Sequence, residues 1–466
     1  GHLVNPLTGA QAADKATVLR RLNRREYENT LNDLCGTNLD LESRLPEDGR
    51  SHEFDNVGES LSISMVQLQG YLDAVDAVME AAIAKTTTKP KAIVKRANYA
   101  ETREGEQHIG KSWGQAPDGA VVFFREQGYP SGMLRTANVR ETGWYKVRVT
   151  GYAYQSDKPI TFAVGGTSFQ RGSERPTFGY YAFEPGEPTT IELTAWIKDR
   201  YMIEITPWGI SDEDGEIRKS GVKNYQGPGL AINHVELEGP LTDEFPSRGH
   251  RLLFEGLDRR EVEPSNPSVK QKSWYVPQFQ IVSDDAAGDV QPVLKRIATT
   301  AFRRPVSDTE VDRYVKLFQA QVDEGASTED ALRTAAAAIF CSPDFLYLNE
   351  PEGWLNDYAL AARLSYFLTR STPDEALLAA AAKGELSKDS QALLQHTRRL
   401  LDDPRSERFV VDFTDAWLNL RDIEFTMPDR SLFPEFDQFL QFSMLAETRG
   451  YFRELIEKDL SAEHLV

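Results

Sequence analysis

The chain has 466 residues, of which 40% are hydrophobic and 27% charged, a composition typical of a globular protein with several domains. Its 53 basic and 72 acidic side chains give a formal net charge of −19, a field that repels nucleic acid and anionic membranes, so neither is an expected partner. No window approaches the ~18 consecutive apolar residues of a membrane-spanning helix, and we expect no membrane span.

The polar start of the chain, residues 1–16, contains no signal peptide, and we expect it to be disordered. Residues 17–88 are predicted to form a small helical domain, a hairpin of two helices. The first helical pattern stops at Gly36, and the second follows Ser62 or Ser64, either of which can serve as its N-cap.

The connector between these helices, "LPEDGRSHEFDNVGES" at residues 45–60, is rich in carboxylates. It does not fit an EF-hand, because Arg50, His52 and Glu53 fall where that loop needs oxygen ligands and a glycine. It lacks the third soft ligand of a zinc site. Glu53 and Asp55 point apart if the segment is extended, which excludes a simple acid pair.

Two interpretations of this connector remain. In the first it is a structural turn that Phe54 and Val57 anchor, and in which Gly58 takes a backbone angle that glycine favours. In the second its surplus carboxylates bind a ligand or meet arginines of another domain.

The hydrophobic period changes from helical to alternating near residue 92. In "GWYKVRVTGYAY", Tyr145, Val147 and Val149 alternate with polar residues, and similar short segments separated by turn residues follow. Residues 92–240 are therefore predicted to form an antiparallel β-sandwich of a jelly-roll-like kind.

An irregular connector is predicted for residues 241–288, followed by helical domains at 289–350 and 351–466. The fold class is thus expected to be α+β multidomain, with an N-terminal helical hairpin, a β-sandwich and an all-helical C-terminal region. Within that last region, Ser307 with Glu310 forms a capping box, and Ser327 or Thr328 is suited to cap another helix.

The two cysteines, Cys35 and Cys341, are too few for a zinc cluster, an iron–sulfur site or a haem attachment. Both lie in apolar helical patterns. Two buried free thiols fit this context, and so does one disulfide if the compartment is oxidising.

Several of these segments together resemble a known multidomain family. Its members are large planctomycete and verrucomicrobial proteins built of domains of unknown function and usually joined to a c-type cytochrome domain. The resemblance lies in three sets of segments: "RRLNRREYENTLNDLCG" with the connector, "AFRRPVSDTEVDRY" with "AAAAIFCSPDFLYL", and "LNDYALAARLSYFLTRSTPDEALL" with "RFVVDFTDAWLNL". The β block stands where that family has a sandwich similar to carbohydrate-binding modules, and "GLAINHVELEGPL" resembles the last strand of such a module.

The resemblance implies an extracytoplasmic location (periplasmic or secreted), a polysaccharide or glycan as ligand, and a c-type cytochrome domain as partner. The haem-attachment motif is absent from this chain, so no haem is expected in it. Because the family usually continues with further domains, we expect the region 351–466 to be truncated at its C-terminal side. The resemblance supplies no catalytic residues.

Sugar recognition needs exposed aromatic rings for stacking and a few polar side chains that fix the hydroxyl geometry. The candidates near the predicted loops of the sandwich are Trp113, Asp118, Tyr129, Arg135, Tyr154, Tyr180, Tyr181, Trp208, Asn224 and Tyr225. The alternative is that these aromatic residues fill the core, as expected for Tyr145 and Trp144, and that the sandwich is only a spacer.

An acidic loop, "SDEDGEIRKSG", is predicted between two strands of the sandwich. Asp212, Asp214 and Glu216 offer the hard oxygen ligands that calcium prefers, and sandwich modules of this kind often hold a structural calcium ion. The alternative is a solvated charge run at the tip of a hairpin.

In the helical region, Asp412 and Asp415 share one helix face, where they could act as acid–base groups or as partners in salt bridges. Arg303 and Arg304 could pair with carboxylates such as Asp308 or Glu310. No hydrolase, metalloprotease or nucleotide-binding motif stands in a fitting context, so whether the chain is an enzyme stays open.

The sequence therefore favours an extracytoplasmic glycan-binding protein within a larger, cytochrome-associated, polysaccharide-processing assembly. One alternative is a redox or polysaccharide-modifying enzyme with its site in the helical part or in absent C-terminal domains. The other is a purely structural scaffold. An open aromatic surface on the sandwich would favour binding, and clustered buried carboxylates facing a deep pocket would favour an enzyme.

Overall fold

The computed structural model describes residues 19–51, 53–126, 132–210, 215–272, 275–350, 353–425, 428–429, 431–433 and 436–465. Residues 1–16, which we expect to be disordered, lie outside the described residues.

The described residues contain fourteen α-helices. In chain order they are α1 (Arg24–Cys35), α2 (Met65–Ala82), α3 (Arg103–His108), α4 (Glu216–Ser220), α5 (Arg248–Phe254), α6 (Ala286–Ala301), α7 (Asp308–Asp323), α8 (Thr328–Phe340), α9 (Pro343–Leu346), α10 (Asp357–Leu368), α11 (Glu375–Lys383), α12 (Ser390–Leu401), α13 (Glu407–Trp417) and α14 (Gln438–Glu457).

The strands lie mostly in the central part of the chain. They are β1 (Arg20–Arg21), β2 (Ile93–Ala97), β3 (Gly114–Gln115), β4 (Val121–Phe123), β5 (Met133–Asn138), β6 (Gly143–Tyr154), β7 (Ile160–Thr167), β8 (Thr177–Phe183), β9 (Thr189–Ile197), β10 (Met202–Pro207), β11 (Gly229–Leu241), β12 (Arg259–Glu261), β13 (Phe279–Ile281) and β14 (Tyr347–Leu348).

The chain folds into two compact units, each made of two separate stretches of sequence. Unit 1 comprises Gly1–Thr87 and Pro246–Asn419, and unit 2 comprises Thr88–Phe245 and Leu420–Val466. Unit 1 is largely helical, and unit 2 contains the sandwich. The expected fold class, an α+β chain with helical N-terminal and C-terminal regions around a sandwich, is confirmed.

Capping side chains fix the helix starts of unit 1. Ser64 accepts a hydrogen bond from the backbone N–H of Gln67 at the start of α2, and the Gln67 side chain accepts one from the Ser64 backbone N–H in return. Ser307 and Glu310 form the same reciprocal arrangement before α7, and Ser327 caps α8. These predicted N-caps are confirmed, because each satisfies backbone donors that have no partner within the helix.

The main core of unit 1 is built from the apolar faces of α1, α2 and α5–α9. Tyr27, Val75, Leu294, Phe318 and Phe340 are at most 2% exposed in it. A smaller core joins α10, α11 and α12 through apolar side chains such as Ala361, Leu377 and Leu400. The two-residue strands β1 and β14 pair with Arg20 opposite Leu348, which ties the N-terminal arginines to the helical region.

Unit 2 contains two antiparallel sheets packed face to face. One has the strand order β5-β10-β7-β8, and the other has the order β3-β4-β11-β6-β9, with β2 also paired to β11. Side chains from both sheets, including Val147, Phe162, Ile203 and Leu230, meet in one core where each is fully buried.

The helix α14 packs on the four-stranded sheet of unit 2. Its N-cap Asp437 accepts a hydrogen bond from the Leu440 N–H (2.7 Å) and another from the Thr161 hydroxyl on β7 (2.6 Å). The rings of Tyr180 on β8 and Phe442 on α14 lie 5.8 Å apart. This helix therefore occupies part of the outer surface of that sheet.

The connector at 45–60 differs from the first interpretation in one detail. Gly58 begins a 3-10 turn over Gly58–Ser60 and does not have a positive φ, whereas Glu53 does, with φ 66°. The expected left-handed glycine at Gly58 is therefore wrong, and the special backbone angle lies in the tight Ser51–Phe54 bridge instead.

Among the described helices, none combines the length and apolar character that crossing a lipid bilayer requires.

Candidate functional site

A β-bulge shapes the outer surface of the six-stranded sheet. The long strands β6 and β11 pair with a register shift between Ile232 and His234, so Asn233 is an extra residue on β11. The shift lets the side chain of Asn233 reach Asp118 in the turn before β4, where its Nδ2 donates a hydrogen bond of 2.8 Å to Asp118 Oδ2.

Asp118 is the polar centre of this region. Besides Asn233, it accepts hydrogen bonds from the Tyr152 hydroxyl (3.1 Å) and from the backbone N–H of Ala120 (3.1 Å). Burial would raise the pKa of this carboxyl, but the hydrogen bonds from Asn233, Ala120 and Tyr152 outweigh it and hold the pKa below its ordinary value. Burial and the nearby Asp118 raise the pKa of Tyr152, so its hydroxyl stays a donor.

Aromatic rings continue the surface beside Asp118. The rings of Tyr152 and Tyr154, both on β6, are 6.4 Å apart. Tyr154 contacts Phe124 at 6.3 Å, and Phe124 contacts Tyr225 at 5.0 Å. Asp118 is exposed, and Tyr152 and Tyr154 are partly exposed, whereas Tyr225 is buried in a small apolar cluster against which Tyr152 and Tyr154 pack. We name Asp118, Tyr152, Tyr154 and Asn233 the sheet-face site.

The structure brings three of the predicted ligand residues to this region. Asp118 and Tyr154 belong to the sheet-face site, and Tyr225 is buried in the adjoining cluster through its contact with Phe124. Asn224 directly precedes Tyr225 in a 3-10 turn and is exposed.

The other predicted residues lie elsewhere. Trp113 is 3% exposed in the sandwich core, with its ring against Tyr99 and Phe123, so it offers no surface for stacking. Arg135 on β5 binds Glu104 (2.7 Å) and lies over the Phe169 ring. These two residues are therefore not neighbours of Asp118, because Trp113 points into the core and Arg135 lies on the opposite sheet.

The remaining predicted tyrosines and tryptophan that the structure describes also lie away from Asp118. Tyr180 and Tyr181 are both on β8 of the four-stranded sheet; the first contacts α14, and the second packs towards the core beside Phe162. Trp208 follows β10, and its backbone N–H donates to the Thr161 carbonyl. Tyr129 lies outside the described residues.

The predicted calcium ligands are only partly described. Asp212 and Asp214 lie outside the described residues, and Glu216 is an exposed residue at the start of the short helix α4. Within the described ranges, no group of three or more histidine, cysteine or acidic side chains is arranged to hold a metal ion.

Sequence reasoning missed Tyr152 and Asn233. Tyr152 stands at an outward position of the alternating β6 pattern, next to the selected Tyr154, so the alternation itself could have identified it. Asn233 reaches the site only through the bulge, and alternation does not predict a register shift.

A second group of ionisable side chains lies in unit 1 and includes two carboxylates of the connector at 45–60. Its five arginines and five carboxylates bind one another as ion pairs. They are Arg20, Arg21, Arg24, Arg25 and Arg370 with Glu26, Glu42, Asp48, Asp55 and Asp412. We call this group the arginine–carboxylate network.

Arg370 is the centre of the network. It is 5% exposed, and it donates to Asp412 Oδ2 through Nε (2.6 Å) and to Glu26 Oε1 through Nη1 (2.9 Å). Its Nη2 lies 3.4 Å from Asp55 of the connector. Although burial opposes it, the charges of Glu26, Asp412 and Asp55 raise the pKa of this guanidinium.

The connector carboxylates are thus bound by arginines of the same unit. Asp48 accepts from Arg21 and from the backbone N–H of Arg24, and Asp55 accepts from Asn23 (2.9 Å). The second interpretation, in which the connector carboxylates meet arginines of another domain, describes the contact of Asp55 with Arg370. Asp48, in contrast, is bound by Arg21 of the same predicted domain.

Asp412, one of the two acid–base candidates of the helical region, belongs to the network. Asp412 is bound by both Arg370 and Arg25, so the salt-bridge interpretation of this residue is the one that the structure supports. Arg304 binds Glu310 (2.8 Å) as expected, whereas Arg303 donates to the carbonyls of Asp344, Phe345 and Tyr347.

A cavity of about 740 Å³ borders the network in unit 1. Leucines and Phe367 form much of its wall, together with Arg20, Arg363 and Tyr366. Glu350 is the carboxylate of this lining, and Arg363 binds both of its oxygens at 2.6 and 2.5 Å. Clustered buried carboxylates facing a deep pocket would favour an enzyme, but the lining of this cavity contains the single carboxylate of Glu350, which is paired with Arg363.

Cys35 and Cys341 are both free thiols. Burial raises the pKa of each to about 12, so neither is a thiolate at neutral pH. Both cysteines are free, as one of the two expectations had it, but only Cys35 is buried, whereas Cys341 is partly exposed.

Three segments of the chain match families of proteins. Residues 20–84 match "PSD3: Protein of unknown function (DUF1587)", residues 289–350 match "PSD5: Protein of unknown function (DUF1595)", and residues 355–466 match "PSD4: Protein of unknown function (DUF1592)". The sandwich lies between the first two matched segments.

Comparison with curated proteins found no match. One similar solved structure is described as "Structure of Eiger TNF from S. frugiperda"; the match covers 33% of this chain and 88% of that chain, at 14% sequence identity and a TM-score of 0.16. A likeness this weak carries no argument about function. The similarity to known families therefore rests on the three matched segments, which resemble PSD3, PSD5 and PSD4 in that order, each described as a protein of unknown function.

Proposed function

We propose that unit 2 binds a glycan through the sheet-face site on the outer surface of its six-stranded sheet. The observation that carries the proposal is the hydrogen-bonded group of Asp118, Tyr152 and Asn233, placed beside the partly exposed ring of Tyr154.

The chemistry of these side chains suits a sugar. The two tyrosine rings supply apolar faces that can lie against the C–H face of a pyranose. The pKa of Asp118 lies below its ordinary value, so its carboxylate is ionised across the neutral pH range. In that form it accepts hydrogen bonds from sugar hydroxyls. Because Asn233 and Tyr152 already orient Asp118, little side-chain freedom is lost on binding.

The wider setting is part of the same proposal. We propose that the protein is extracytoplasmic and that it recognises a polysaccharide within a cytochrome-associated assembly. The support is the presence of the three matched domains, whose families occur in cytochrome-associated planctomycete proteins.

A structural calcium ion at Asp212, Asp214 and Glu216 also remains a proposal, supported by the acidic composition of that loop. If the ion binds, removal of calcium with EGTA will lower the melting temperature of the wild-type chain, and a D212N/D214N variant will not respond. An unchanged melting temperature in the wild type would exclude the ion.

A glycan array probed with the full chain tests the main proposal. The wild type should bind at least one plant or algal polysaccharide, and D118A should lose that signal because the carboxylate no longer binds sugar hydroxyls. D157A is the matched control, since Asp157 is an exposed residue of the loop after β6. A wild type that binds no polysaccharide, or a D118A variant that binds as the wild type does, would refute the proposal.

A further inference from the structure

The outward row of β6 extends the surface of the sheet-face site over a long distance. Side chains at alternate positions from Tyr152 back to Trp144 point to the same side as Asp118 and are partly exposed or exposed. Eight steps along a strand at roughly 3.3 Å each give about 26 Å between Tyr152 and Trp144. This distance spans several sugar rings rather than one.

A pair of tryptophans stands at the far end of this row. Trp144 on β6 is directly opposite Trp196 on β9, and their rings lie 5.6 Å apart at 78°. Trp144 is 38% exposed although tryptophan is a large apolar side chain, and Trp196 is partly exposed. An exposed aromatic pair is the type of surface on which a sugar ring stacks.

The charged side chains between the two ends neutralise one another. Three cations, Arg96, Lys146 and Arg148, pair with three carboxylates at distances of 2.7 to 3.9 Å. The carboxylates are those of Glu192, Glu236 and Glu238. With three charges of each sign in this part of the face, no excess of positive charge is present there to attract a sulfated or uronic chain.

His234 adds no charge to this balance at neutral pH. Burial, followed by the nearby Arg96, lowers its pKa despite the opposing effect of Glu236. Because Arg96 can only donate to the His234 Nδ1 (3.1 Å), the proton of the neutral ring lies on Nε2, which faces the Thr150 hydroxyl at 3.3 Å. Thr150 and Thr190, 2.8 Å apart, then present a row of hydroxyl groups in the middle of the surface.

From these observations we infer that the ligand is an extended, uncharged polysaccharide that runs along β6 from the sheet-face site to the Trp144–Trp196 pair. This inference rests on the proposed glycan binding and adds the length and charge class of the ligand. The tyrosine end and the tryptophan end each stack on a sugar ring, and the threonine hydroxyls and paired charges between them bind hydroxyl groups of the chain.

The test measures binding of the full chain to neutral polysaccharides, to their oligosaccharides from the disaccharide upwards, and to sulfated and uronic polysaccharides. The wild type should bind a long neutral chain about tenfold more tightly than a short one, since a second stacking contact adds about 1.4 kcal/mol. W144A should remove this difference, and short oligosaccharides should still bind the variant at the sheet-face site.

Two controls accompany the variant. W354A removes another exposed tryptophan, 88% exposed and in unit 1, and should bind all glycans as the wild type does. Thermal unfolding of W144A checks that it folds, and quenching of tryptophan fluorescence in the wild type by the long chain reports contact without any substitution.

The outcomes separate the inference from the proposal on which it rests. Equal affinity for short and long chains, or unchanged long-chain binding by W144A, would refute the extended binding surface along β6. The proposed glycan binding at the sheet-face site would still stand. A preference for sulfated or uronic chains would refute the uncharged ligand. Binding to no glycan at all would refute the proposed function and this inference with it.

Discussion

Arg370 combines two features, each of which by itself raises the free energy of the folded state. It is buried, and its backbone has φ 54°, a left-handed conformation that costs a residue with a side chain about 1–3 kcal/mol. Such a conformation persists where surrounding contacts require it. Here those contacts are the ion pairs with Glu26 and Asp412, which join the N-terminal helix α1 to α13.

The first prediction concerns R370A. Removing this guanidinium leaves Glu26 and Asp412 buried with fewer positive partners, so the free energy of unfolding should fall by about 3–5 kcal/mol. Urea denaturation at neutral pH measures the change. R363A is the matched control, because Arg363 is largely exposed and its pair with Glu350 should contribute only about 0–1 kcal/mol. Equal losses in both variants would contradict this account of Arg370.

The second prediction concerns the pH dependence of stability. Burial opposes ionisation of Asp412, but Arg370 and Arg25 outweigh it, so its pKa in the folded state lies below the ordinary value. A depressed folded pKa gives stability that is fully present above the unfolded pKa of about 3.9 and is lost as the pH falls through the folded pKa. D412N should therefore lose less stability than the wild type when the pH is lowered from 5 to 3. Parallel pH profiles of the two proteins would contradict the assignment.

The third prediction separates the two tyrosines of the sheet-face site. Y152F keeps the ring but removes the hydroxyl that donates to Asp118, so the affinity for glycan should fall several-fold, equivalent to about 0.5–1.5 kcal/mol. Y154F should bind as the wild type does, because the proposed role of Tyr154 is ring stacking, and Y154A should bind weakly. Titration calorimetry measures all three; a loss in Y154F equal to that in Y152F would contradict these roles.

At the scale of elements, local sequence signals predicted much of what the structure contains. The N-caps Ser64, Ser307 and Ser327 and the helix end at Gly36 depend on neighbouring residues only, and all four are present. Tyr145 on β6 is in the core, as expected. The same expectation for Trp144 is wrong, because this neighbouring position points to the opposite, outward side of the strand and is 38% exposed. What short patterns could not provide was the bulge at Asn233, because a register shift depends on the partner strand.

The fourth prediction concerns the attachment of α14 to its sheet. D437A removes the N-cap of this helix and the acceptor for the Thr161 hydroxyl, so the chain should lose about 1–2 kcal/mol of stability. D157A, which changes an exposed loop aspartate, serves as the control. If D437A and D157A have the same urea midpoint, the helix is not held by this residue.

At the scale of the whole molecule, the least predictable feature is how distant segments combine. Each compact unit joins two stretches separated by more than a hundred residues, and the arginine–carboxylate network links Arg25 with Asp412 across one of these gaps. Periodicity and capping describe neighbours in sequence and carry no information about such pairs. The sequence shows that the connector at 45–60 is rich in carboxylates. It does not show that Arg370 is a partner of Asp55, because these residues are far apart in the chain and meet only in the folded structure.

The same limit applies to the candidate site. The sequence contains many aromatic residues in the β block but does not show which of them are exposed. In the structure Trp113 is buried, whereas Tyr154 is partly exposed beside Asp118. A tyrosine or tryptophan contributes to a binding surface only when its position points outward on a sheet face that remains accessible.

Hydrogen–deuterium exchange of the full chain, with and without the polysaccharide that binds most strongly on the array, tests the location of the proposed site most directly. We predict that the ligand slows exchange around Asp118, in residues 150–154 of β6 and around Asn233, and leaves the helices of unit 1 unchanged. Protection confined to unit 1, or to the four-stranded sheet that carries Tyr180 and Tyr181, would contradict the central claim that the sheet-face site binds glycan.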